Sequence, residues 1–213
     1  MAQFVCGNRV CTPVCALTWS ASLSDEYPMI RRLALAVIAV ASLGACGVGS
    51  VAPVVTDADL IDEPKLVGVW TERKETVEVT STAPGNFQLV YTDEAGKVGR
   101  FSARYGRLGS YRVLDLQPDD PSPASNDSYK SLILRAHGIV FVASVSDSLR
   151  FQILEPDSVK ALLSREPRKI AHALTNGAVL LTASSEDSRE FLRAFAGRPG
   201  ALGEMNSFRR TQK

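Results

Sequence analysis

The sequence predicts a mainly β, α+β domain: an antiparallel up-and-down meander followed by one or two short helices near its C-terminal end. Three observations carry this reading. From Leu66 to Leu154, apolar and polar residues alternate in short runs rich in Val, Thr, Phe and Tyr, the pattern of half-buried strands. Clusters of Gly, Pro, Asn and Asp punctuate those runs, as short connections require. Apolar spacing shifts to three and four residues only after Pro156, where a helix can present one face to a core.

Residues 1–28 stand in front of a complete export signal, and the simplest account is translation from Met29 with residues 1–28 outside the fold. They carry Cys6, Cys11 and Cys15, but no histidine lies nearby and no second pair of cysteines follows, so the spacing does not read as a zinc site. Residues 29–45 are the signal itself. Arg31 and Arg32 form a basic start, Leu33 to Leu43 is apolar or small except for Ser42, and Leu43-Gly44-Ala45 narrows to small residues before Cys46. That order is a secretory signal, and its apolar core of about 13 residues falls short of the roughly 20 needed to span a bilayer. Residues 46–64 begin with small residues (Gly-Val-Gly-Ser-Val-Ala) and read as a flexible tether.

Residues 65–213 form the expected globular domain. Leu66 to Thr71 and Thr76 to Thr80 read as strand, and Pro84-Gly85-Asn86 as a turn. Phe87, Leu89 and Tyr91 alternate with Gln88, Val90 and Thr92 in the next strand, and Thr92 to Lys97 supplies a hairpin turn. Phe101, Ala103 and Tyr105 alternate with Arg100, Ser102 and Arg104 before Leu108-Gly109 turns the chain into Tyr111–Leu116. Gln117 to Asp127 holds three prolines and reads as loop. Strands resume at Ser131–Ala136, Ile139–Val145 and Leu149–Leu154. Pro156 to Ser164 is a short helix, with Asp157 as its expected cap. Asn176-Gly177 is a turn before the strand Ala178–Thr182. Ser184, with an acid three residues on, caps a second helix that Gly197 and Pro199 stop. Met205 to Arg210 returns as a final strand.

Two local patterns resemble known families. Leu43-Gly44-Ala45-Cys46 resembles the lipobox of bacterial lipoproteins, with Gly44 where alanine or serine is commoner. The resemblance implies diacylglycerol on the Cys46 thiol, cleavage between Ala45 and Cys46, and acylation of the new amino terminus. Gly47, which is not aspartate, is similar to the sorting signal for the periplasmic face of the outer membrane in enterobacteria. Leu66-Val67-Gly68-Val69-Trp70 resembles the Gly-x-Trp signature of lipocalins and other calycins. In that family the tryptophan closes the bottom of a barrel under an arginine of the last strand, a role the resemblance gives to Arg209 or, failing that, Arg210. The second motif of the family is absent, so another barrel-like or open β fold with helices packed on it stays as the alternative.

Chemistry is sparse. The chain holds 24 Lys+Arg and 23 Asp+Glu. From Cys46 onward, removing Arg9, Arg31 and Arg32 leaves 21 cations, and removing Asp25 and Glu26 leaves 21 anions. A neutral chain without a basic stripe argues against nucleic acid as a partner. His137, beside Gly138 at a strand turn, and His172 lack the cysteine or carboxylate company of a metal site. No Gly-x-Ser-x-Gly pentapeptide or Gly-rich phosphate loop occurs, and the pairs Asp119-Asp120 and Glu186-Asp187 fit turn and helix-start roles. The expectation is therefore no catalytic activity, no metal and no cofactor. Among the strand aromatics, Tyr91, Phe101, Tyr105 and Phe141 are the candidates for lining a small hydrophobic ligand; solid core packing is the competing use of these side chains. The expected partners are membrane lipid at Cys46 and either such a ligand or another envelope protein.

Overall fold

A computed structural model describes residues 47–119, 136–175 and 178–211. The extension 1–28, the signal 29–45 with Ala45, Cys46, the expected strand Ser131–Ala136 up to residue 135, the Gln117–Asp127 loop beyond Asp119, and the Asn176-Gly177 turn lie outside the described residues.

The strands are β1 (Val48–Ser50), β2 (Gly68–Glu72), β3 (Glu75–Ala83), β4 (Asn86–Thr92), β5 (Val98–Leu108), β6 (Tyr111–Pro118), β7 (His137–Val145), β8 (Ser148–Ile153), β9 (His172–Thr175), β10 (Ala178–Leu181) and β11 (Asn206–Arg210). The helices are α1 (Pro156–Arg165) and α2 (Ser185–Ala196). Strands β2 to β8 pair antiparallel in sequence order, and β11 fits between β8 and β2. The eight strands therefore close on themselves into an antiparallel barrel, the mainly β class the sequence predicts. Closure removes the free edges that an open sheet would expose.

Alternation along each strand divides the apolar residues between two cores. Trp70, Val79, Phe87, Leu89, Ala103, Tyr105, Leu114, Val142, Leu149 and Phe208 fill the barrel. The intervening residues Leu108, Val113, Ile139 and Phe141 face outward and join Val159 and Leu163 of α1 with Phe191, Leu192 and Phe195 of α2. The cap of α2 is Ser184, whose hydroxyl accepts from the Asp187 amide at 3.1 Å. In α1 the cap position is Glu155, with Pro156 as the first helical residue; Asp157 lies in the first turn instead of capping it.

The tether expectation for residues 46–64 is corrected over its described part. Strand β1 pairs antiparallel with the start of β7 (Gly49 opposite Gly138, Ser50 opposite His137) and parallel with β10. It takes the place beside β7 that β8 vacates above Ile153, the partner of Val140. Val54 and Val55 are fully buried at 0 % exposure. Gly106 makes this possible, since a Cβ there would meet Val55 Cγ1 at 2.5 Å and the Asp59 carbonyl oxygen at 2.8 Å. Strand β9, which the sequence does not announce, pairs with β10 and ends the sheet.

Candidate functional site

One end of the barrel interior is closed by a tryptophan plug. At the end near β2's start, a one-turn 3₁₀ helix, Pro64–Leu66, brings buried Leu66 under the barrel. Trp70 stands above it, donating its indole N–H to the Leu66 carbonyl at 2.8 Å. The Arg210 guanidinium lies 4.1 Å from the indole centroid, donates to the Val67 carbonyl at 2.8 Å, and also donates to the Lys65 carbonyl. Gly68 has φ +142°, and a Cβ on it would sit 2.5 Å from Arg210 Nη1. The glycine therefore clears the space the guanidinium occupies. The arginine over the tryptophan is Arg210, not Arg209: in a strand only alternate residues face inward, and Phe208 and Arg210 do so while Arg209 is exposed.

Above this plug, Phe87, Tyr105 and Val79 are sealed from solvent. Burial raises the Tyr105 phenol pKa, against the pull of the nearby Arg112 cation; its hydroxyl has no hydrogen-bond partner in good geometry among the described residues. Toward the other end, the inward apolar residues Phe101, Leu116, Val140 and Phe151 are only half buried. Tyr91 joins them and donates to Glu75 at 2.8 Å. Its own burial first, then Glu75, raises the Tyr91 pKa above the usual tyrosine value.

Of the four aromatics proposed from sequence, Tyr91, Phe101 and Tyr105 share the interior, Tyr105 deepest. Phe141 does not. It faces outward at 4 % exposure, with its ring edge-on to Tyr111 at 5.5 Å. The cross-strand partner Val113 shows why, because Phe141 and Val113 lie opposite each other on the outer face.

A polar cluster that sequence reasoning missed lies on that outer face. Asp115 is 2 % exposed. One carboxylate oxygen accepts from the amides of Val54 and Val55 at 2.6 and 3.0 Å. The other is hydrogen-bonded to His137 Nδ1 at 2.6 Å. His137 thus opens strand β7 and is not in a turn. Ser50, its cross-strand partner, is fully buried with its hydroxyl accepting from the Ala52 amide at 3.2 Å. An enclosed serine with its oxygen so engaged gives the row Ser50–His137–Asp115 the character of a clamp on residues 50–55. The only sequence signal was an acid in Tyr111–Leu116 at the position that alternates with Val113 on the outer face, meaningful once its partners 60 residues away are known.

His172 Nδ1 donates to the Ile170 carbonyl oxygen, 2.9 Å away, because a carbonyl oxygen can only accept. A cleft of about 480 Å³ opens between the helices, floored by Leu162, Ile170, Phe191 and Phe195 and rimmed by Lys169 and Glu190. Asp119 ties strands together by accepting from Gln88 at 2.6 Å and Ser102 at 3.0 Å.

The geometry defines a closed eight-stranded antiparallel barrel, plugged at one end by a tryptophan–arginine stack and flanked by two helices. Compared with family models, curated proteins and solved structures, the chain matches none.

Proposed function

We propose that this is a bacterial envelope lipoprotein, held by acylated Cys46 on the periplasmic face of the outer membrane, whose barrel takes up a small hydrophobic ligand without transforming it. The observation that carries the ligand reading is the group of half-buried apolar side chains at the end of the barrel away from Trp70. One end is sealed by Leu66, Trp70 and Arg210, while Tyr91, Phe101, Leu116, Val140 and Phe151 remain half buried at the other. Apolar surface left half buried is worth roughly 25 cal/mol per Å² to an apolar occupant that covers it. The Gly68–Trp70–Arg210 arrangement supports kinship with calycins, and the Leu43-Gly44-Ala45-Cys46 run supports the anchor.

Native mass spectrometry of the chain purified from a bacterial host tests the ligand, and the mass of its N-terminal peptide tests the anchor. A co-purifying lipid, or a saturable thermal shift with long-chain fatty acids, is the expected result. A bare protein that no fatty acid stabilises overturns the ligand reading, and an unacylated Cys46 overturns the anchor.

A further inference from the structure

The route by which the chain joins the fold fixes which side of the domain meets the membrane. We infer that strands β9 and β10 lie against the bilayer, with Leu174 seated in the lipid headgroup region. The inference rests on acylation of Cys46 proposed above.

The Gly47 carbonyl already accepts from the Val179 amide at 3.0 Å, and β1 begins at the next residue. Consecutive Cα atoms are about 3.8 Å apart, so an acylated Cys46 is one peptide away from the sheet. No slack separates lipid from fold. Val48 stands opposite Val179, and Val179 opposite Leu174, so the three side chains form one row across β1, β10 and β9. Adjacent strands are about 4.8 Å apart, which puts Leu174 roughly 10 Å from Val48. The polar zone on each side of a bilayer is roughly 5–8 Å deep. Chains buried from Cys46 therefore hold the β1–β10–β9 row within or beside that zone.

Val48 and Val179 are buried in the outer core, but Leu174 continues their row past its edge and is 60 % exposed. Among the described residues, the other exposed large apolar side chains, Val67, Val98 and Met205, are on or beside barrel strands β2, β5 and β11. Leu174 alone among them belongs to the strands that run from β1 to the end of the sheet. Covering it with lipid removes apolar surface from water, and β9 is the sheet's last strand, with nothing beyond it in the strand order. The occupant of this face is therefore a lipid surface.

The full chain, expressed in a bacterial host as the Leu174→Trp variant and reconstituted into phosphatidylethanolamine–phosphatidylglycerol vesicles, tests this. Half the preparations carry brominated acyl chains, and intact mass reports acylation. The control is Thr80→Trp, exposed on β3, which is four strands from β7 either way round the barrel. The expected result is a blue-shifted emission from Leu174→Trp that brominated chains extinguish, while Thr80→Trp emission is unchanged. Acylated protein whose Leu174→Trp emission ignores bromine overturns the docking face and leaves the anchor standing. Unacylated protein overturns both.

Discussion

Replacing Gly68 with alanine tests whether the plug of the barrel is one cooperative unit. The new Cβ would sit 2.5 Å from Arg210 Nη1 at a backbone φ of +142°, so two separate costs arise. Holding a non-glycine residue in that conformation costs about 1–3 kcal/mol. Displacing Arg210 forfeits its stacking on Trp70, worth about 0.5–2 kcal/mol at a partly solvated site. It also forfeits two carbonyl hydrogen bonds that, on the surface, contribute about 1 kcal/mol or less each. Gly68→Ala should therefore lose about 3–4 kcal/mol, and Arg210→Ala about 2 kcal/mol. Because both remove the same stack, the double variant should fall short of the sum by about 2 kcal/mol. Urea unfolding followed by Trp70 fluorescence measures all three. Strict additivity would refute the reasoning, since the guanidinium would then owe nothing to the missing Cβ.

Three further outcomes follow from the described contacts. The Arg189 guanidinium bonds Asp59 at 2.9 Å and holds its pKa down at about 2 from 3.8. A depressed carboxylate pKa stabilises the fold above the unfolded value and is lost as pH falls from about 4 through about 2. Arg189→Gln should cost about 1–2 kcal/mol near neutrality and flatten that acid limb, measured by urea midpoints across pH. Tyr91 is shifted the other way, so its contribution is complete below pH about 10 and declines as pH climbs beyond it. Ultraviolet titration should show Tyr91→Phe with one fewer late-ionising phenol and a shallower alkaline loss of stability. Lastly, a chain beginning at Lys65 lacks Val48, Val54 and Val55, each worth about 1.5–3 kcal/mol of burial, against a typical total stability of about 5–15 kcal/mol. It should fail to fold, by circular dichroism, where a chain beginning at Gly47 folds.

The barrel was legible because its strands are local. Phe87-Gln88-Leu89 and Phe101-Ser102-Ala103 alternate, and their turns lie between them, so period and punctuation agree. The same alternation placed Tyr91, Phe101 and Tyr105 inside. It failed at Phe141 and Arg209 for a specific reason. Both strands have apolar or long side chains on each face, and period two cannot say which face is inward without a cross-strand partner. Sequence found Gly68 and Trp70, but the choice between Arg209 and Arg210 needed the pairing of Arg210 with Trp70. Residues 47–61 were illegible because their partners are distant. Small residues and prolines look like linker locally, and only Asp115, 60 residues on, and Arg189, 130 residues on, reveal them as structure.

That distance also decides how the molecule behaves under tension. A carboxylate as enclosed as Asp115 is tolerable only with its donors in place, because removing one partner of a buried charge costs about 3–5 kcal/mol. Two of its three hydrogen-bond partners are backbone amides of Val54 and Val55, so the segment cannot leave without stranding a charge on the barrel wall. Arg189 secures the same segment from α2, donating to the Val54 carbonyl at 2.7 Å. Barrel, entry segment and helix therefore open together or remain closed together. A pull on the chain ahead of β1 would act within reach of this clamp and would be resisted by the stability of the domain itself.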